Sequence, residues 1–276
     1  MNESRLLPLP LLRLIAVLFL VTHGRVLHAE PAAQIDVAGL PAAVVEDIVV
    51  PVPSEVFSVL DKLGQPDWKA QLSTSTTSLT PSSRPQIALL LGTVIADGFI
   101  AVQAQDSERV KDAGREVLRL AGAIGVRDSV VRRSKSIIEA AEEKAWNTVR
   151  SELDKALTEV RGAMTELNDD QLAQLVSLGG WLRGTQAVTS IVKNSFSKDT
   201  AELLHQPMLV DYFVARLDEL PPAFNETAII GKIGESLLEI RPLIEAGNNA
   251  PISLASVERI HTIATALVSE ITSPTN

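Results

Sequence analysis

Read for the spacing of its apolar residues, the chain divides near residue 85. Before that point no helical period is sustained. After it, apolar positions recur at helical spacing almost to the last residues. From Gln86 to Gln105 the sequence is apolar nearly all round, as suits a helix at the centre of a bundle, and Gly92, Ala96 and Gly98 would let neighbours come close. Val110, Ala113, Val117, Leu120, Ala121 and Ile124 mark a second helix that Gly125 ends, completing a helical hairpin.

The longest regular pattern lies between Arg127 and Leu167. Val131, Ile138, Ala145, Val149, Leu153, Ala156, Val160, Ala163 and Leu167 fall on one stripe, and Val131, Val149 and Leu167 recur every 18 residues. Because 18 residues are five turns at about 3.6 per turn, the pattern predicts one long straight helix over 127–167, about 60 Å long. Asn168 or Asp169 can cap the next helix, Asp170 to Lys193. Its inward face shifts from Leu172, Leu175, Val176 and Leu182 to Trp181, Val188 and Val192 beyond Gly179-Gly180. Two interior glycines cost about 2 kcal/mol against alanine, so a kink or burial from two sides is expected there.

Further on, Asp199 and Glu202 have capping-box spacing for a short helix from Thr200 to His205, and Pro207 separates it from a helix over Met208 to Leu220. Asn225 is the expected cap of a helix with Ile229, Ile230, Ile233, Leu237 and Ile240 inward, interrupted at Pro242. Ser253 caps the last, with Leu254, Val257, Ile260, Ala264, Val268 and Ile271 inward. No strand pattern competes after residue 84. The expectation is an all-α fold, an irregular multi-helix bundle over residues 86–272.

The stretch before the bundle has a different character. Pro31, Pro41, Pro51 and Pro53 preclude a long helix, so residues 30–72 read as an extended Pro-rich arm with one short helix, Glu55 to Leu63, capped by Ser54 and stopped by Gly64. Residues 73–85 form a Ser/Thr/Pro tract with little to bury, the composition of a flexible linker. On this reading residues 30–83 do not share the bundle's core. Residues 1–29 read as a signal peptide: Arg5 and Arg13 precede the apolar run Leu14 to Val21, and Leu27-His28-Ala29 offers a cleavage site. Arg13 leaves that run far short of the roughly 20 residues that span a bilayer, which favours cleavage and a soluble periplasmic or extracellular protein over stable membrane insertion.

Composition narrows this picture further. Apolar residues make up 46% of the chain and aromatics only 4%, so Ala, Leu, Ile and Val must build the core. There is no cysteine, hence no disulfide and no thiol chemistry. Loss of residues 1–29 removes three Arg and one Glu, taking the formal charge from −9 to −11. A field of that sign disfavours nucleic acid and anionic lipid as partners, and the one basic cluster, Arg127, Arg132, Arg133 and Lys135, reads as a solvated helix face.

The inventory for catalysis is poor. Beyond the leader the histidines are His205 and His261, and there is no HExxH, GxSxG, phosphate loop or EF-hand spacing. No cofactor is implied. Glu202/His205 and Glu258/His261 both fit Glu-x-x-His, which with Glu142 on the long stripe sketches a carboxylate di-metal site. Isolated matches to so short a pattern arise readily by chance on helices rich in Glu, and this one carries little weight. Glu142 has a second reading as an ion-paired residue, and His261 as a hydrogen-bonded core histidine. Trp181 and Arg183 after the double glycine, and Gln206, Asp211 and Tyr212 around Pro207, combine irregular helix ends with polar or aromatic groups, as binding clefts do. With Glu142 and His261 these are the candidate cleft residues. The function they suggest is binding, of another exported protein or of a second copy. Small-molecule binding or sensing in a bundle cavity is the alternative, and a carboxylate/His metalloenzyme stands behind both.

Overall fold

The structure, a computed structural model, describes residues 58, 60–72 and 83–273 except 168, 226 and 246–250. The expected signal peptide over 1–29, the proline-rich residues 30–53 and most of the Ser/Thr/Pro tract lie outside these residues. All regular elements among the described residues are helical: α1 Arg84–Gln103, α2 Ser107–Ala123, α3 Arg127–Glu142, α4 Trp146–Glu166, α5 Asp170–Asn194, α6 Lys198–Ala201, α7 Pro207–Asp218, α8 Pro222–Asn225, α9 Ala228–Ile244 and α10 Leu254–Ile271. The architecture is an all-α bundle, as the apolar periodicity implies.

Helix ends follow local chemistry. The Ser83 hydroxyl accepts from Gln86 N at 3.4 Å, Asp106 from Arg109 N at 3.1 Å and Ser253 from Ser256 N at 3.0 Å, capping α1, α2 and α10. α2 stops at Gly125, whose φ of +88° suits a residue without a Cβ. The short helix α6 is capped by Ser197 with Thr200, rather than by Asp199 with Glu202, and a 3-10 turn Glu202–Leu204 continues it. Asn225 ends α8, and Thr227 precedes α9. α9 also runs through Pro242 to Ile244 instead of stopping before it.

At the centre α1 packs against α5 on one side and α2 on the other. From α2 the chain folds back through α3 and α4, while α10 covers another face of α5, α9 packs on α10, and α7 on α9. Burial from two sides therefore explains why α5 is apolar on a shifting face. α1 is long and apolar enough to cross a membrane, yet 67% of that apolar window is buried inside the bundle. The larger core joins α1, α5, α7, α9 and α10 through residues such as Leu89, Leu182, Phe213, Ile233, Leu237 and Ile260. Burying each Leu or Ile in this way contributes about 1.5–3 kcal/mol. A smaller core of Ala101, Val102, Val110, Ile137, Ala140, Ala141 and Val149 serves the first three hairpins.

The α1–α5 crossing is backbone on backbone. A Cβ on Gly92 would lie 1.9 Å from the Val176 carbonyl oxygen, and one on Gly179 would lie 2.1 Å from that of Leu89. Neither space admits a methyl group. Gly180, which faces Gly92 O at 3.4 Å, is less confined. α5 is one continuous helix through both glycines, so close approach to α1, not a break, is what they provide.

Two expectations are corrected. The single straight helix over 127–167 is a hairpin: Glu143, Lys144 and Ala145 separate α3 from α4, with Lys144 at φ +57°. The buried face of α3 is Val130, Ser134, Ile137, Ala140 and Ala141, one position from the stripe, and Val131 and Leu167 are 42% and 52% exposed. A stripe drawn through both helices had averaged two different inward faces. The second correction concerns residues 60–72. Leu60 and Trp68 are each only 6% exposed and belong to the larger core, and Leu72 packs against both cores, so this segment shares the bundle's interior.

Candidate functional site

Chain topology distributes the seven candidate residues over several places. Trp181, from the middle of α5, donates its indole N–H to Gln206 Oε1 at 3.1 Å and sets its ring 5.6 Å from that of Phe213 on α7. Tyr212 meets the other side of Phe213 edge-on at 5.7 Å, and the Arg216 guanidinium lies 5.2 Å above the Tyr212 ring. Trp181, Gln206 and Tyr212 thus form one cluster that fastens the turn before α7 onto α5. The adjoining apolar crevice, lined by Leu175, Leu178, Phe213 and Leu217, measures ≈ 10 Å³, room for about one water.

Asp211 points the other way from α7. It receives Arg241 of α9 through Nε at 2.5 Å and Nη2 at 2.9 Å, and Arg241 also reaches Glu245 at 2.6 Å. The Arg241 hydrogen bond holds the Asp211 carboxyl below its ordinary range. Pairing of Asp211 with Arg241, and of Leu217 with the position of Gly234, makes α7 and α9 antiparallel. One turn before each partner of the ion pair stands a large apolar side chain left in water: Met208, 69% exposed, and Leu238, 62% exposed.

Arg183 lies elsewhere on α5 and is only 4% exposed. Its Nε donates to Asp97 Oδ1 of α1 at 2.8 Å, and its Nη2 donates to the Gln71 carbonyl of the N-terminal segment. Burial pushes the Asp97 carboxyl up, opposed by the Arg183 charge and hydrogen bond and by the charge of Arg109. Asp97 shares a seam with Gln86 and Thr93, both buried, and Thr93 Oγ1 donates to Leu89 O at 3.0 Å.

Glu142 is exposed at the end of α3 and pairs with Lys111 of α2 at 3.2 Å, the ion-pair alternative rather than a place on a buried stripe. His261 on α10 is half-buried against α5. Thr189 gives its hydroxyl proton to Thr185 O at 2.6 Å, so His261 Nδ1 carries the proton it shares with Gln186 O at 3.3 Å and Thr189 Oγ1 at 3.1 Å. Desolvation, then the charge of Lys193, lowers its pKa, and the Gln186 bond opposes both, leaving a neutral imidazole at pH 7. His205 pairs with Glu202 at 2.9 Å within its own turn. Among the described residues, no three of His, Asp and Glu gather as a metal site would require.

Sequence reasoning missed Met208, Leu238, Arg241, Asp61 and Arg150. The adjacent pair Leu237-Leu238 carried no distinguishing signal, because neighbouring apolar residues on a helix can both be buried, as Ile229 and Ile230 of α9 are. The sequence matches no protein-family model and no curated protein, and the structure matches no solved structure.

Proposed function

We propose that this chain is an exported protein that acts by binding another protein, with the exposed face of α7 and α9 as its contact surface. One observation carries the reading: Met208 and Leu238 stand exposed one helical turn from opposite members of the Asp211–Arg241 pair. Met and Arg are enriched at protein–protein interfaces, and two long apolar side chains in water favour being covered. The crevice beside Phe213 takes about one water, which disfavours a small ligand there. Among the described residues no three His, Asp or Glu side chains gather at one point. Export rests on the basic and apolar pattern of residues 1–29, and loss of that segment in protein recovered from the periplasm or medium would support it.

Photo-crosslinking tests the surface. A photoreactive residue at 208 or 238 is expected to trap a discrete partner, either a second copy or another exported protein, and one at exposed Val131 is expected to trap none. With the probe at 208, Leu238→Glu should abolish that capture, and with the probe at 238, Met208→Glu should do so, each leaving the circular dichroism unchanged. Equal capture from all three positions, or capture that survives both substitutions, overturns the assignment.

A further inference from the structure

The α7–α9 face has a charge as well as an apolar content. Residues 207–245 carry seven carboxylates and three basic side chains, and those three are already engaged. Arg216 holds Glu219 at 2.6 Å, Lys232 holds Glu270 at 2.7 Å, and Arg241 holds both Asp211 and Glu245. Arg259 of α10 likewise holds Glu239 at 2.5 Å. Asp218 and Glu235 are exposed and have no ion-pair partner among the described residues. The surface therefore presents negative charge that its own helices do not neutralise.

Helical geometry places these charges beside the apolar groups. Met208, Asp211, Ala215 and Asp218 recur at spacings of three and four residues and form the exposed stripe of α7, and Glu235, Leu238 and Glu245 lie on that of α9. Because the two helices are antiparallel and Asp211 meets Arg241, their register is fixed. Met208 lies three residues before Asp211, and Leu238 three before Arg241. The two apolar side chains thus stand on opposite sides of the ion pair, about 9 Å apart along the face at about 1.5 Å per residue. Asp218 and Glu235 lie together one turn beyond Leu238, at the end away from Met208. A helix laid along this groove has its positions i and i+7 about 10 Å apart, which matches the two apolar groups, and its following turn would meet the carboxylates.

We infer, resting on the assignment of α7 and α9 as the contact surface, that the partner presents a basic amphipathic helix. Apolar side chains seven residues apart would cover Met208 and Leu238, and Lys or Arg on the next turn would face Asp218 and Glu235. Charge complementarity selects this occupant. A second copy would bring the same acidic stripe, on a chain of formal charge −9, so a two-fold contact would set carboxylates against an acidic face.

Two synthetic helical peptides, each with leucine on one face and either lysine or glutamate on the other, are the probes, used with the full chain. A photoreactive residue at 238 is expected to capture the Leu/Lys peptide in preference to the Leu/Glu peptide. Asp218→Lys with Glu235→Lys should weaken binding of the Leu/Lys peptide about tenfold or more, since two favourable charge contacts become repulsive, and should shift preference toward the Leu/Glu peptide. Glu143→Lys with Glu166→Lys makes the same change of charge at exposed positions of the α3–α4 hairpin and should alter the affinity little. Equal capture of the two peptides, an affinity indifferent to the reversal at 218 and 235, or an equal loss from the control pair overturns the basic partner. The contact surface itself survives that result if capture at 238 persists and Met208→Glu removes it. Self-cross-linking through 238 that the Leu/Lys peptide does not compete away assigns the face to a second copy and also overturns the inference. Capture of neither peptide overturns it as well, and the surface is then judged by the partner trapped at 208 and 238.

Discussion

The α1–α5 pair and the α3–α4 hairpin are both two-helix contacts, and opposite means hold them. At the centre Gly92 and Gly179 bring backbones so close that a Cβ would come within 1.9 or 2.1 Å of a carbonyl oxygen, and Arg183 and Asp97 form an ion pair largely out of water. The hairpin instead meets through side chains. Arg133 bridges Glu152 at 3.0 Å and Glu159 at 2.7 Å, Arg132 reaches Glu159 at 2.8 Å, and Ile137, Ala140, Ala141 and Val149 are buried beside them with Trp146 and Leu153 packed against that core. The first contact depends on shape and tolerates almost no added volume. The second depends on charge and tolerates change, at the cost of sensitivity to pH and salt.

The sharpest way to break the comparison is a single methyl group. Gly179→Ala and Gly92→Ala should each cost about 3 kcal/mol or more, because relief requires moving a whole helix. Gly180→Ala should lie within about 1 kcal/mol of the parent, since a 3.4 Å contact needs only a small adjustment and alanine regains helix propensity. Denaturant melts of the three variants check the ranking, and a benign Gly179→Ala would sink the backbone-contact account. Next in size is the buried pair. Arg183→Ala leaves Asp97 desolvated without its partner and the Gln71 carbonyl without its donor, an expected loss of about 3–5 kcal/mol. Arg183→Met with Asp97→Leu should recover much of it.

These two predictions touch residues that the sequence made legible to different degrees. Gly92 and the Gly179-Gly180 pair stood out because glycine inside an apolar helix needs a reason, and close packing was the physical one. Helix type and the capping residue Ser253 were likewise local properties. The α3–α4 turn was not legible, since nothing in Glu143-Lys144-Ala145 forbids a helix and only tertiary packing favours the positive φ at Lys144. The candidate cleft failed to gather for a related reason: Trp181, Arg183 and His261 share α5 or its neighbours but point to different partners, and rotation about a helix buried on two sides cannot be read from spacing alone. Docking of Trp68 was hidden by the polar sequence around it.

A smaller effect separates the two regions by acid. Glu152 and Glu159 have pKa values lowered chiefly by the hydrogen bonds of Lys155 and of Arg133, respectively. Their stabilisation is therefore complete above the unfolded carboxylate range of about 4.3 and is lost as pH falls through the lower folded values. Asp97 has the opposite sign: burial raises it, so the folded state takes up a proton more readily there, and acidification through its pKa does not remove stability. Amide hydrogen exchange at pH 7 and at about pH 3, well below the unfolded carboxylate range, should show protection falling in α3 and α4 before α1 and α5. Arg133→Gln should remove most of that difference. Equal loss in both regions would mean that the ion pairs contribute nothing specific to the hairpin.

The smallest effect has the opposite direction and uses the same chemical change as the largest. Gly162 lies in α4, is exposed, and a Cβ built there meets nothing within 4 Å. With no neighbour to displace, the only terms left are the backbone entropy that glycine loses on folding and its poor helix propensity, together about 0.5–1 kcal/mol in favour of alanine. Gly162→Ala should therefore raise stability by that amount, whereas Gly179→Ala, the same substitution in a helix of the same bundle, lowers it several-fold more. Because intrinsic propensity is common to both sites, the difference between the two measurements isolates the packing of α5 on α1. If Gly162→Ala instead destabilises, then α4 is covered at that position by something beyond the described residues. Its face beside Asp128, Arg132 and Glu159 would then have to be counted with the closely packed region.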